Sequence, residues 1–260
     1  MTVCELYQKL DSIIPPSLSC EWDHDGLMVC PNPLRTVSKV LVCLDPSLEM
    51  AEIAIREGYD VILSHHPLLF ESIHCVDASW PLGSMLTKLI CAGVSVMCFH
   101  TRLDAVEGGV NDKLAELIGL IPETITPFLV EGLPMGRVGR LKKGTPLDEF
   151  VDHIGKTLEA PSITYGDAGL KSLTVALLGG SGKGEIKNAL ASGADTFLTG
   201  ELGYHEISEA DLYGINLIAT GHYESEQPVT ESLCGFVRSV DPDINCDIRA
   251  SRNTKTWCRP

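Results

Sequence analysis

Apolar residues recur along this chain in two rhythms. Over residues 3–14 they fall at helical spacing, and the run stops at Pro15 and Pro16. After a loop, Trp22-Asp23-His24-Asp25-Gly26, short continuous apolar runs alternate with helical ones. Residues 40–44, 61–63 and 94–99 read as strands, and residues 48–56, 82–91 and 110–118 as helices. The second half repeats the order, with strands over 173–178, 196–198 and 215–219 and helices over 185–191, 204–212 and 226–237. The match extends to detail. Glu57-Gly58-Tyr59-Asp60 parallels Ser192-Gly193-Ala194-Asp195, and His100 followed by Asp104 parallels His222 followed by Glu226. One βαβαβα unit is used twice, a duplication of ~130 residues. Alternating βα units predict an α/β protein of two similar lobes with mainly parallel sheets, the first over 1–128 and the second over 129–260. Lobes facing each other across a pseudo-twofold would enclose a cleft.

The polar residues that interrupt this pattern gather at strand ends. Ser64-His65-His66-Pro67 closes one apolar run. Successive strand residues point to opposite faces, so both imidazoles serve one site only if the chain leaves the extended state there, as Pro67 favours. His100 with Asp104, and His222 with Glu226, close two other runs. All three pairs lie past the carboxyl ends of strands, the edge where open α/β sheets build sites. Ser225 reads as the N-cap of a helix that begins with Glu226 and tolerates Pro228 in its first turn. Clustered histidine and carboxylate are the raw material of a metal site. Three neutral imidazoles and two carboxylates around two divalent ions leave a net charge of about +2, or about +1 with a bridging hydroxide. Such a mixture suits Zn, Mn, Fe, Co or Ni without choosing among them. His100, which ends its strand, is read as a neighbour of the ligands rather than a ligand. Thr199-Gly200-Glu201 with Tyr204-His205 duplicates the Ser-His-His-Pro turn, which makes Glu201 and His205 candidates for proton transfer. The run Gly179-Gly180-Ser181-Gly182-Lys183-Gly184 either cradles a phosphate with its amides or is a tight strand–helix turn, and it lacks the spacing of a Walker loop.

Composition narrows the classes. With 260 residues, 44% hydrophobic and 21% charged, the chain is ordinary for a globular protein. No apolar stretch approaches a spanning helix and no signal peptide is evident, so a cytoplasmic location and no membrane partner are expected. A net charge of −15 argues against nucleic acid, the basic residues Arg249, Arg252, Lys255 and Arg259 being the one cluster. Ten scattered cysteines without a CxxC pair read as reduced structural thiols. There is no Gly-x-Ser-x-Gly elbow for a serine hydrolase.

Ser64-His65-His66-Pro67-Leu68-Leu69-Phe70, His100-Thr101-Arg102-Leu103-Asp104 with Gly108-Gly109, Leu198-Thr199-Gly200-Glu201, and Gly221-His222-Tyr223 with Glu226 resemble the signature blocks of the NIF-three-like family, also called the GTP cyclohydrolase I type 2 family. Trp22-Asp23 with Gly26-Leu27, and Gly179-Gly180-Ser181-Gly182, are similar to two further blocks. The resemblance covers nearly the whole chain, in the family's short form. It implies a two-lobed α/β fold, a ring-shaped homo-hexamer, and two divalent metal ions held by His65, His66, Asp104, His222 and Glu226. Arg102 stands where the family usually has Asn and would add positive charge beside the site. The function expected is metal-dependent hydrolysis of a small anionic, nucleotide-like or phosphate-bearing substrate. The alternative is a non-enzymatic metal-handling or scaffold hexamer.

Overall fold

The computed structural model describes residues 1–251; Arg252, Lys255, Cys258 and Arg259 lie outside the described residues. The fold is mixed α/β, with one sheet of five strands and one of six among the described residues. In chain order the strands are β1 (Gly26–Val29), β2 (Lys39–Cys43), β3 (Val61–Ser64), β4 (Ser95–Cys98), β5 (Thr126–Val130), β6 (Leu133–Thr145), β7 (Thr164–Gly166), β8 (Ser172–Ser181), β9 (Thr196–Glu201), β10 (Asn216–Ala219) and β11 (Asn245–Ile248). The chain divides into two compact units. Among the described residues, 1–103 with 229–251 form the first and 104–228 form the second.

In the first unit the strand order is β1-β4-β3-β2-β11. The pairs from β4 through β11 are parallel and β1 is antiparallel to β4. The inner strands β2, β3 and β4 are buried along almost all of their length, as a sheet covered on both faces requires, while the edge strand β11 is partly exposed. The helix Leu48–Glu57 joins β2 to β3; Ser47 caps its start and Gly58, at φ 71°, ends it in the left-handed region. The helix Val3–Ile13 begins with a Thr2–Glu5 capping box and buries Val3, Leu6 and Leu10. In the second unit the order is β5-β6-β8-β9-β10-β7. Here β8, β9 and β10 are parallel, while β5, β6 and β7 pair antiparallel. The parallel trio β8-β9-β10 repeats β2-β3-β4, and in each unit an antiparallel strand, β7 or β1, lies beyond the third.

The repeated Gly-x-Asp element has a common task. Asp60, just before β3, accepts hydrogen bonds from the Ser38 amide (2.8 Å), the Ser38 hydroxyl (2.9 Å), the Lys39 amide (3.0 Å) and Arg35 Nε (2.9 Å). Asp195, just before β9, accepts from the amides of Leu173 (3.0 Å) and Thr174 (2.9 Å) and from the Thr196 hydroxyl (2.8 Å). Each aspartate ties the start of its own strand to the start of the preceding one and so fixes the register of the parallel pair. For Asp60, burial alone raises the carboxyl pKa, but the donors from Ser38, Lys39 and Arg35 outweigh it and lower the net value.

Three details differ from the sequence reading. The lobes do not divide at residues 128 and 129: the helix Val110–Leu117 packs on β6 and β8 of the second unit, and the helix Val229–Val240 packs on β2 and β11 of the first. The last helix of each repeat therefore belongs to the other unit, which a linear repeat does not reveal. The helix expected over 226–237 is two, His222–Glu226 and Val229–Val240, with Pro228 at the break. The helix expected over 204–212 is likewise split into Tyr204–Ser208 and Ala210–Tyr213. Among the described residues the cysteines are free thiols, with Cys234 and Cys246 buried side by side, and no helix is long and apolar enough to cross a membrane.

Candidate metal centre

In the first unit the strand β3 ends at Ser64, whose hydroxyl donates to the carbonyl of His66 (2.7 Å). The His66 amide donates to the carbonyl of Leu44 (2.9 Å). This tight turn takes His65 and His66 out of the strand alternation, and their rings come together with centroids 5.0 Å apart. His100 joins them, its ring 5.4 Å from His65 and 5.9 Å from His66. One nitrogen of each of the three lies within 4.8 Å of the others. The sequence reading placed His100 a step back from the ligands; the fold sets it in the cluster.

Each imidazole is oriented through Nδ1. His65 Nδ1 lies 3.1 Å from the carbonyl oxygen of buried Phe99, His66 Nδ1 is 2.7 Å from Asp45 Oδ1, and His100 Nδ1 is 3.1 Å from Asp23 Oδ1. A carbonyl or carboxylate oxygen can only accept, so Nδ1 keeps its proton and donates it in a hydrogen bond, and Nε2 carries the lone pair. This arrangement is typical of metal-ligating histidine. Asp23 also accepts from the amide (3.0 Å) and hydroxyl (2.7 Å) of Thr101. Burial raises the Asp23 carboxyl, but the bonds from His100 and Thr101 prevail and hold its pKa at about 2. In the sequence Asp23 stood in a family-like block with no role assigned to it, and Asp45 was not singled out. Asp45 stood two residues past the end of β2, the same strand-end address that exposed the histidines.

In the second unit the short helix His222–Glu226 carries its two donors one turn apart, on one face, with His222 Nε2 3.1 Å from Glu226 Oε2. Ser225 is not the N-cap of a long helix. Its hydroxyl donates to the His222 carbonyl (2.9 Å) and accepts from the Gly180 amide (3.0 Å), which pins this helix to β8. Glycine makes the close approach possible. A Cβ on Gly180, at φ 67°, would stand 2.2 Å from Glu226 Oε1, and one on Gly200 would stand 2.5 Å from the Gly180 oxygen and 2.6 Å from Ser225 Oγ. Asp104 lies in the helix Thr101–Ala105, and its carboxylate is within 4.8 Å of that of Glu226. Both residues are buried, at 7% and 4% exposure. Two buried carboxylates at this separation repel unless a proton or a cation lies near, so the donor set fits a divalent ion.

Glu201, half exposed at the end of β9, has Oε1 3.6 Å from His222 Nδ1 and Oε2 3.7 Å from Lys183 Nζ. A cavity of about 490 Å³ is lined here by Thr164, Lys183, Gly200, Glu201 and Tyr204. His205 is exposed, its ring edge-on to Tyr204 with centroids 5.4 Å apart. Of the two readings of the glycine run, the tight turn is the one the hydrogen bonds support, because four of its amides are spent on the protein: Gly179 donates to Asn111 Oδ1, Gly180 to Ser225 Oγ, Gly182 to the Glu201 carbonyl and Gly184 to Glu206 Oε1. The expectation that Arg102 adds positive charge beside the site is corrected. Arg102 steers no anion. It is buried, pairs with Asp11 (2.7 Å) and Asp25 (2.9 Å), and lies over the ring of Phe99.

The sequence model of the Duf34/NIF3 (NGG1p interacting factor 3) family matches residues 1–256. The chain belongs to the DUF34/NIF3 family. Among its relatives, "GTP cyclohydrolase 1 type 2 homolog" of Clostridium perfringens is 32% identical over 249 residues, covering 94% of each chain. "Protein NIF3 homolog" of Schizosaccharomyces pombe is 31% identical over 239 residues, covering 86% of this chain and 84% of the other. Solved structures share the DUF34/NIF3 fold. Staphylococcus aureus protein SA1388 superposes with a TM-score of 0.85 at 26% identity, over 100% of this chain and 99% of that one. Reduced HcgD from Methanocaldococcus jannaschii superposes at 0.81 with 29% identity, over 96% and 97%.

Proposed function

We propose that this protein is a metal-dependent hydrolase of a small anionic substrate. His65, His66, Asp104, His222 and Glu226 would together hold two divalent ions, of Zn, Mn, Fe, Co or Ni. The observation that carries this reading is the anchoring of each first-unit imidazole through Nδ1, which turns the metal-binding nitrogens toward one another. The pairing of buried Asp104 with Glu226 supports it from the second unit. Divalent ions bound there would polarise a carbonyl or phosphoryl oxygen and make water acidic enough to react near neutral pH. Glu201, within ion-pair distance of both His222 and Lys183, orients the His222 ring and takes up or returns a proton from the open side. Lys183 supplies the cation for an anionic substrate group, and His205 is a further candidate for proton transfer. The name shared by several relatives, GTP cyclohydrolase 1 type 2 homolog, is consistent with a nucleotide-like substrate. We further propose a homo-hexamer. The family resemblance supports this assembly.

Chelated and metal-reloaded protein, screened against nucleotides, phosphoesters and cyclic amides, tests the reading. Turnover is expected to vanish on chelation and return with metal. Glu201→Gln is expected to keep its metal and lose about 100-fold in rate. If no compound is turned over faster than by Glu226→Ala, the hydrolase reading falls and a metal-handling role takes its place.

A further inference from the structure

The loop that opens with Trp22 is built onto the strand end that carries His100. Asp23 binds His100 Nδ1 and both the amide and hydroxyl of Thr101. Asp25 accepts from the His100 amide (2.9 Å) and from Arg102 Nε (2.9 Å). Trp22 is therefore held rigidly, yet it is 50% exposed, and Phe70, just past the His65–His66 turn, is 61% exposed. Their rings stand 6.3 Å apart at 55°. Each meets the imidazole of His100 edge to face, at 6.1 Å for Trp22 and 6.2 Å for Phe70. A cavity of about 400 Å³ opens beside Phe70, with Leu27, Met28, Leu69 and Ile73 on its apolar side and His24, Asp25, Glu71 and Ser72 on its polar side. Large aromatic surface left in water costs stability, and here it is fixed by polar anchors rather than buried.

We propose that Trp22 and Phe70 seat a planar unsaturated ring of the substrate, so that the proposed hydrolase selects ring-bearing anions over aliphatic ones. The inference rests on the metal-site reading above and adds the substrate class. The corner shares His100 with the histidine cluster. A ring lying on one aromatic face, with its edge toward the other, is thereby delivered to the metal-binding nitrogens. A protein partner on the same corner would cover those nitrogens and close the site to substrate, which disfavours a docking role.

The test compares phenyl phosphate with cyclohexyl phosphate, which share the anionic group and differ in the planarity of the ring. Calorimetric titration of zinc-loaded wild-type protein is expected to give about fivefold tighter binding of phenyl phosphate. Trp22→Leu and Phe70→Leu are each expected to bring the two affinities together, with zinc content unchanged. Trp22→Phe is expected to restore the preference. Equal affinities in the wild type, or a preference that survives both leucine variants, would overturn the proposal. The two readings fail separately. A ring preference in a protein that hydrolyses nothing keeps the seat and removes the hydrolase; equal turnover of ring and aliphatic esters does the reverse.

Discussion

A single buried carboxylate does much to hold the first sheet in register, and its chemistry predicts an acid sensitivity. Asp60 accepts from Ser38, Lys39 and Arg35 and is 6% exposed. Its pKa is lowered in the folded protein, so its contribution is present above the unfolded value of about 3.9 and is lost as pH falls through the lower folded value. Urea titrations of Asp60→Asn against wild type should therefore show the largest gap at neutral pH and a closing gap below about pH 4. Asp60→Ala should cost about 3 kcal/mol at pH 7, because it strands several buried donors. Arg102→Asn should also destabilise by about 3 kcal/mol, by leaving Asp11 and Asp25 without their cation. The ionic-strength dependence of substrate binding should not change, as it would for a steering charge. At this scale the sequence was legible where residue type limits the options. His65, His66, His222 and Glu226 were readable as candidates, since paired histidines at strand ends have few structural uses, and each falls in a group of side chains that could hold an ion. Arg102 was not, because whether an arginine faces solvent or two carboxylates depends on the helix Val3–Ile13, far away in the chain. Asp45→Asn, which replaces the charged acceptor of His66 Nδ1, should weaken metal binding about 10- to 100-fold by equilibrium competition with a chelator.

Among the elements, the short helix His222–Glu226 depends on its glycine floor. Gly200→Ala places a methyl against the Gly180 carbonyl and Ser225 Oγ, so the helix must lift. Metal content measured by elemental analysis should fall well below that of wild type, while circular dichroism stays near wild type, because the added methyl lies at the carboxyl end of β9 and the pairing along the rest of β8-β9-β10 does not depend on it. An unchanged metal content would show that this helix does not position ligands. The central strands β2, β3, β4, β8, β9 and β10 were readable, since continuous buried apolar runs leave little ambiguity, whereas β1, β5, β6, β7 and β11, which lie outside the two parallel trios, were not. The breaks were harder. Pro228 was expected to sit within a first turn, and it instead separates two helices that pack in different units. The glycine run looked like an anion loop because composition shows that amides are accessible to close approach, but not what approaches them. Here the visitors are Asn111, Ser225 and Glu206 side chains.

For the molecule as a whole, the proposed site calls for about two transition-metal equivalents per chain, more ligands being available than one open tetrahedral ion needs. A value of one or less that added metal fails to raise would remove the second ion. Light scattering should give the mass of about six chains, as the family resemblance implies, with little change on dilution. The family and the two-lobed α/β plan were legible in the order of motifs, whereas the membership of the terminal helices was not, because tertiary packing rather than local pattern decides it. That membership has a consequence for biosynthesis. The second unit, Asp104–Pro228, is one uninterrupted stretch, while the first sheet receives β11 and its covering helix only from residues after Pro228. On the ribosome the unit begun first is finished last. Until β11 emerges, the outer edge of β2 is an open template for a strand from another nascent chain, and a chaperone must guard it.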